Sequence, residues 1–452
     1  MHSLRILLTW ATLSQFVSKR GGGENLSSLY LQIQFIMRSK QAIASITIVF
    51  FLILSLGWYL GVPKVVPNSD FYINMATGHA ASVMKPFSSR ILHPFLASVL
   101  IRSGLSVPMA FTVVAAAALA LLFASISLLV RWFGEERPLW PFLLFCPILV
   151  EYFRTAYMND LLHAALLGIL LAVLVRWERA SFPILLALII CRESTILVAT
   201  VLAVYFVWRR KYAYAVGTFF TVVLGFLIVS WIAPAGGHNI HSLSTGAYIV
   251  EKTGWNFLAN WLGLRLWRPT FEWACPAPLF QAKLPLLKAD LVLCDWDMES
   301  IINTWTNFLG TISLTTAIVL ASWKSLRIRL DGKRLELLFV IAAYGVLAAI
   351  VGTFTGTATH RLIGYGWPLI WVVVPVVFNV TLKPRSTAVW LFLHWLLMWV
   401  RELIPPRTPS LELLFCAAVI VLNVMAYRSI SARFSEEKSP VELAPKVSPT
   451  PA

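Results

Sequence analysis

Charge is what this sequence lacks. Only 13% of its 452 residues are Asp, Glu, Lys or Arg, about half the share found in soluble domains. Acids are scarcest, 21 against 37 Lys and Arg. Cysteine is rare as well, five in the chain, and no His/Cys spacing resembles a zinc site. The apolar runs are continuous and do not alternate with polar residues, which excludes a membrane β-barrel. No convincing similarity relates residues 41–210 to 213–428, the internal symmetry that many transporters carry.

What fills the space is hydrophobic. Apolar residues make up 58% of the chain and mean hydropathy is +0.76. Many runs approach the ~20 residues that a helix needs to cross the hydrocarbon core. The expected fold class is all-α, a polytopic transmembrane helical bundle of about twelve crossings, some half-length. They fall near 41–62, 106–130, 139–153, 160–175, 181–191, 194–208, 213–233, 301–322, 336–352, 364–380, 388–403 and 411–428. Arg38 and Lys40 place the N-terminus in the cytoplasm. RWFGEER (131–137), RWER (176–179), RRK (209–211), WKSLRIRLDGKR (323–334) and LKPR (382–385) then fall on the same side, as does the C-terminus. The net charge of +16 therefore reads as cytoplasmic loops against membrane lipids rather than a nucleic-acid surface. Many of the 19 Trp sit near run ends, among them Trp58, Trp132, Trp208 and Trp231, as interfacial belts require.

Three segments stand apart from the bundle, which is read as residues 37–432. Residues 1–36 hold a short apolar run, LRILLTWATLSQFV, followed by SKRGGGEN, without a small-residue cleavage site. Either translation begins at Met37 or these residues form a loose extension. Residues 433–452 are rich in Pro and Ser and are expected to be a disordered cytoplasmic tail. Two outer loops are long, 63–105 and 235–300, and long loops in compact folds are often functional. Cys146, Cys191 and Cys416 read as small hydrophobes in or beside spans. Cys275 and Cys294 share the second outer loop, where a disulfide is favoured over two free thiols on an oxidising face.

The candidate chemistry sits at the outer ends. In the first loop, PNSDFYINMATGHAASVMKPFSSRILHPFLASVL holds a single carboxylate, Asp70, with Arg90 and His93 beyond it. Ile91, Leu92, Phe95, Leu96, Val99 and Leu100 mark one face of a helix too short to span, hence interfacial. A second short helix over FYINMATGHAASVM would start near Asn68, Ser69 or Asp70, and a helix cap is the plain alternative for Asp70. EYFRTAYMNDLLHAA places Glu151, Arg154, Asp160 and His163 at the ends of two crossings, where Arg154 with Asp160 reads equally as an ion pair or as a binding group. Arg192 and Glu193 in CRES stand between half-length runs; adjacent on a helix, they should serve different partners. His360 and Arg361 precede the tenth crossing against the positive-inside bias, and an Arg fork there suits phosphate oxygens. Asp295 and Asp297 form a D-x-D that could hold a divalent metal or simply end a polar loop.

Assembled, these pieces resemble the GT-C superfamily, the multispanning glycosyltransferases that use polyprenyl-phosphate-linked sugars. DFYINMATGHAA resembles that family's first-loop acid followed by an aromatic and small residues. HRLIGYGWPLIWVVVP resembles its late Arg before a Pro-punctuated span, and SRILHPFLA and CRESTILV resemble uncharacterised bacterial members. The likeness runs over roughly residues 41 to 380, but the chain shows only Asp70 where some members carry a paired acid. It implies a plasma-membrane enzyme that takes a lipid-linked sugar donor and passes the sugar to a lipid, glycan or protein acceptor on the outer face. Asp70 would be the general base, His360 and Arg361 would hold the phosphate, and Arg90, His93, Arg154, Asp160, Arg192 and Glu193 would line the cavity. Dependence on a divalent metal stays open. The competing readings are a multispanning transporter or flippase for a lipid-linked or polar substrate, and a non-catalytic envelope-assembly protein.

Overall fold

The computed structural model describes residues 23–83, 87–134, 140–233, 245–266, 278–284, 289–356, 359–380, 384–403 and 408–436. Helices dominate it. α1 (Gly23–Tyr59) is a single helix that passes through Met37 rather than starting there. It buries Val49 and Ile53 and leaves Ile43, Ile48, Phe51 and Leu52 exposed. In a chain this apolar, such a bare hydrocarbon face suits lipid rather than water.

α2 (Ser69–Ala76) and α3 (Leu92–Arg102) are the two short helices of the first long loop. Asn68 precedes α2 in the left-handed region, φ 82°, without a side-chain cap bond. The loop is closed instead by the Val66 N–H, which donates to Ser69 Oγ at 2.9 Å. α3 is turned opposite to the usual sense. Its small and polar residues His93, Pro94, Ala97 and Ser98 are buried, while Phe95 and Val99 are exposed. An amphipathic helix that hides its polar face and shows its apolar one lies naturally at a membrane interface.

α4 (Val107–Trp132) starts with Pro108 in its first turn, where the missing N–H costs nothing. It buries Ala110, Phe111, Val114, Ala118, Leu122, Ser125, Ile126 and Leu129, a 3.6-residue stripe. That stripe meets α6 (Asp160–Arg176). Gly168 lets the two backbones close up, since a Cβ there would lie within 3.3 Å of Ser125 Cβ. Between them α5 is only Pro147–Arg154, because Pro147 starts it afresh after a 3₁₀ turn over Trp140–Leu144. α7 (Ser181–Cys191) and α8 (Ile196–Trp208) are half-length helices hinged at residues 192–195, and α9 (Tyr212–Ile232) packs across both.

Within the second long loop, the described residues form a helix and strands. α10 (Thr245–Leu262) leads to three antiparallel strands, β1 (Leu264–Leu266), β2 (Phe280–Leu284) and β3 (Ala289–Trp296), in the order β1-β3-β2. Leu264 faces Trp296 and Phe280 faces Leu293 in register. Cys294 on β3 is disulfide-bonded; Cys275 lies outside the described residues, and Cys146, Cys191 and Cys416 are free thiols.

α11 (Met298–Phe308) runs through a π-helical stretch, Leu309–Ser313, into α12 (Leu314–Arg329). α13 (Gly332–Thr355) is capped by Asp331, which accepts from the Arg334 N–H at 2.8 Å. Against it lies a broken segment: α14 (Thr359–Ile363), a 3₁₀ turn at Gly364–Gly366, a π-helical stretch at Leu369–Val373 and α15 (Val374–Val380). α16 (Pro384–Leu403) and α17 (Pro409–Glu436) complete the described chain. Six described stretches are long and apolar enough to cross a membrane: 40–59, 107–132, 212–232, 298–329, 332–354 and 409–432. The expected count of twelve is not reproduced by that measure, because prolines, glycines and buried charges cut the remaining runs short. Of the expected loose ends, residues 23–36 are helical and α17 reaches Glu436, whereas 1–22 and 437–452 lie outside the described residues.

The seam between α13 and the broken segment is set by glycine. A Cβ on Gly352 would meet the Leu362 carbonyl oxygen, and one on Gly345 would lie 2.9 Å from the Leu369 nitrogen. The obstacle is backbone, so it cannot swing aside. Gly352→Ala should therefore cost about 1–3 kcal/mol of stability by overpacking, read as a lowered midpoint in thermal melts of the nanodisc-embedded protein; an unchanged midpoint would show that the seam has slack.

Candidate functional site

Just beyond the end of α1, where the first loop begins, the chain surrounds a cavity of about 610 Å³. One wall comes from Leu60, Lys64, Val66, Pro67 and Asn68 between α1 and α2, a second from α5 with Glu151, Tyr152 and Arg154. The third combines Asn307 and Thr311 of α11 and its π stretch, Arg361 of α14, and Met398, Trp399, Arg401 and Glu402 of α16. Four cations (Lys64, Arg154, Arg361, Arg401) and two carboxylates (Glu151, Glu402) thus share a space with Leu60, Ile148, Met398 and Trp399. Charged groups beside apolar walls suit an amphiphile with an anionic head.

The cations are not equivalent. Arg154 donates to Glu151 Oε2 at 3.2 Å, one helical turn away, and so pairs with Glu151 rather than with Asp160. Arg401 is fully engaged: it donates to both oxygens of Glu412 at 2.9 and 3.2 Å, to Asn307 at 2.7 Å and to Asn303 at 3.2 Å. Its task is to tie α16 and α17 to α11. Lys64 carries no ion pair among the described residues, and its backbone N–H donates to the Arg154 carbonyl at 2.8 Å. Arg361 is 14% exposed, and its Nε lies 3.3 Å from Asp160 Oδ2 without hydrogen-bond geometry.

Behind Arg361 runs a buried polar chain. Asp160, fully buried at the start of α6, accepts from Arg192 Nη1 at 2.5 Å and from the Tyr365 hydroxyl. Its position in the first turn places the carboxylate at the positive end of the helix dipole. Arg192 stacks over the Tyr365 ring at 4.5 Å and reaches Asn159 Oδ1 at 3.4 Å. Asn159 donates to the Cys191 carbonyl at 2.6 Å and accepts from the Tyr72 hydroxyl at 3.3 Å. Tyr72 in turn accepts from Arg90 Nη1 at 3.0 Å, and Arg90 forks onto Glu193 at 2.9 and 2.5 Å. Arg192 and Glu193 do serve different partners. The chain gathers five residues separated by up to 271 positions, Arg90, Asp160, Arg192, Glu193 and Arg361.

The other candidates named from the sequence fall outside it; Asp70 is exposed in the first turn of α2 and does not line the cavity, although Asn68 does. His93 is buried with Nε2 3.0 Å from the Ala156 carbonyl oxygen. Burial pushes its imidazole down to about 4, so it is neutral near pH 7 and holds α3 in place. The His360 side chain lies outside the described residues. Asp297 caps α11 through the Glu299 N–H at 3.0 Å and bonds Ser300 and Arg265. Burial would raise that carboxyl, but the Ser300 bonds and the Arg265 charge outweigh it and hold it below the usual range. The D-x-D therefore reads as a cap and a strand end, and no group of three potential metal ligands occurs among the described residues.

Arg401, Glu412, Asn307 and Tyr365 escape a sequence reading, since single polar residues near span ends carry no spacing signal. Arg401 and Glu412 bracket PPRTPS, and opposite charges flanking a proline-rich stretch are the one hint available.

For Glu193, burial alone would raise the carboxyl, but Arg90 outweighs it and holds it down to about 2. The folded value lies below the ordinary 4.5, so the pair stabilises fully above 4.5 and its contribution fades as pH falls towards 2. Glu193→Gln should cost about 1.5–3 kcal/mol at neutral pH. Its melting point should converge with wild type as pH drops below 4.5, whereas a pH-independent gap would mean that the pair contributes through packing alone. A scan against protein-family models and a search of curated proteins found no match to this chain, so its function rests on the chemistry of this cavity.

Proposed function

We propose that the protein is a membrane glycosyltransferase that moves a sugar from a polyprenyl-phosphate donor to an acceptor at the outer face of a bacterial plasma membrane. The observation that carries this reading is the cavity itself, where Lys64, Arg154 and Arg361 share the lining with Leu60, Ile148, Met398 and Trp399. The sequence resemblance to GT-C enzymes supports it. A lipid phosphate would sit against Arg361 and Lys64, with its chain leaving along Leu60, Val66 and Trp399. The acceptor oxygen attacks the anomeric carbon, the bond from that carbon to the phosphate oxygen breaks, and its electron pair stays on the phosphate. Fixed cations at that oxygen lower the barrier because its charge grows in the transition state.

The acceptor hydroxyl must lose its proton, and the base belongs within hydrogen-bond reach. Glu151 lines the cavity, whereas Asp70 does not, so the base moves from Asp70 to Glu151, with Arg154 keeping that carboxylate oriented.

The test is turnover and binding of radiolabelled polyprenyl-phosphate sugars by the protein in lipid nanodiscs. Glu151→Gln should lower turnover by about 10²–10⁴-fold while binding holds; Asp70→Asn should behave as wild type. If Asp70→Asn instead abolishes turnover, the base is Asp70. If no donor binds, the enzyme reading fails and substrate transport becomes the function to assay.

A further inference from the structure

Asp160 stands between two arginines. Its Oδ1 takes hydrogen bonds from Arg192 and Tyr365, and its Oδ2 lies 3.3 Å from Arg361 Nε without a hydrogen bond. All three side chains are largely buried, 0% exposed for Asp160, 6% for Arg192 and 14% for Arg361. Two guanidiniums against one carboxylate leave one positive charge uncompensated. Arg90 cannot be counted as a further excess, because Glu193 neutralises it. Arg192 holds the good geometry, so the surplus lies on Arg361, the member of the trio that lines the cavity. A buried cation is costly unless a partner charge completes it.

We propose that Asp160 and Tyr365 are positioning residues: they fix Arg192 and aim a half-paired Arg361 at the cavity, so that an incoming phosphate supplies its missing partner. Three contacts hold the aim. Tyr365 sits four residues after Arg361 across α14 and its 3₁₀ turn and bonds both Asp160 and Arg192. Tyr152 donates to the Arg361 carbonyl at 3.0 Å, which pins that backbone to α5. Gly364 admits Tyr152, since a Cβ there would lie 2.6 Å from its hydroxyl. Removing the Tyr365 hydroxyl would loosen Arg192 from Asp160, draw Oδ2 away from its present place and release Arg361. This inference rests on the reading of the cavity as a phosphate site.

The experiment is a double-mutant cycle on the full chain in nanodiscs, with farnesyl phosphate as the probe and sugar transfer assayed separately. Arg361→Ala should weaken binding roughly tenfold or more, and Tyr365→Phe about fivefold. In the Arg361→Ala background, Tyr365→Phe should change binding by less than about twofold, because a residue that acts through another is silent once that other is gone. A merely structural tyrosine would weaken binding equally in both backgrounds. Asp160→Asn should match Arg361→Ala, and Tyr365→Phe carries the test if that variant fails to fold. Additive losses, or a Tyr365→Phe that binds like wild type, overturn the positioning role. Wild-type protein that does not bind farnesyl phosphate overturns this inference and the phosphate site together. A coupled cycle in a protein that transfers no sugar overturns the transferase reading alone.

Discussion

The arrangement depends on a fully buried carboxylate that has to hold two guanidiniums. Taking an ion out of water costs several kcal/mol even after relaxation, on the order recorded for buried ion pairs. Asp160 meets that cost only because α6 begins at it, because Tyr365 adds a neutral donor, and because Arg192 approaches from the hinge between α7 and α8. The last two come from elements that are broken where they would otherwise span. The hinge at residues 192–195 and the 3₁₀ turn at Gly364–Gly366 are the places where backbone leaves the helix so that side chains can converge. Irregular backbone is tolerated in apolar surroundings where it lines a polar interior, and here it does so twice around one oxygen pair.

Much of the fold was legible in the chain. Of the twelve apolar runs read as crossings, six correspond to helices long enough to span. Apolar spacing marked α3, though not its orientation, and the start of α2 was legible near Ser69, while its end at Ala76, short of the expected Met84, was not. Periodicity says that Phe95 and Val99 share a face; it cannot say whether that face meets protein or lipid, and in a membrane the two are equally apolar. The small sheet was missed for another reason. Its strands are three to eight residues long and two of them are separated by a long stretch of sequence, so no alternating run stands out from the loop.

Among site residues, charges that are rare in context were found readily. Arg90, Asp160, Arg192, Glu193 and Arg361 each stand in apolar sequence where a charge needs a reason. What could not be read was who meets whom. Asp160 is the partner that the sequence suggests for Arg154, yet Glu151, three residues behind it on α5, holds it. Arg90 looked free to meet a ligand, and Glu193, 103 positions away, already holds it. Pairing across the bundle is a tertiary fact, and a single sequence holds no record of it.

The helix formed by α11, its π stretch and α12 is 32 residues long. At 1.5 Å per residue that is about 48 Å, against about 30 Å of hydrocarbon. Fitting it inside by leaning alone would take an angle near 50°, beyond the range of about 0–40° that spanning helices adopt. Its ends must therefore stand clear of the oil. The charged turn at residues 324–329 marks one end; at the other, the polar turn at residues 303–307 opens on the cavity, and β3 ends just ahead of Met298. β3 is thus joined through Asp297 to a helix that outreaches the hydrocarbon, so a change in bilayer thickness would alter how far the helix ends project while leaving the sheet's distance to Asn307 unchanged.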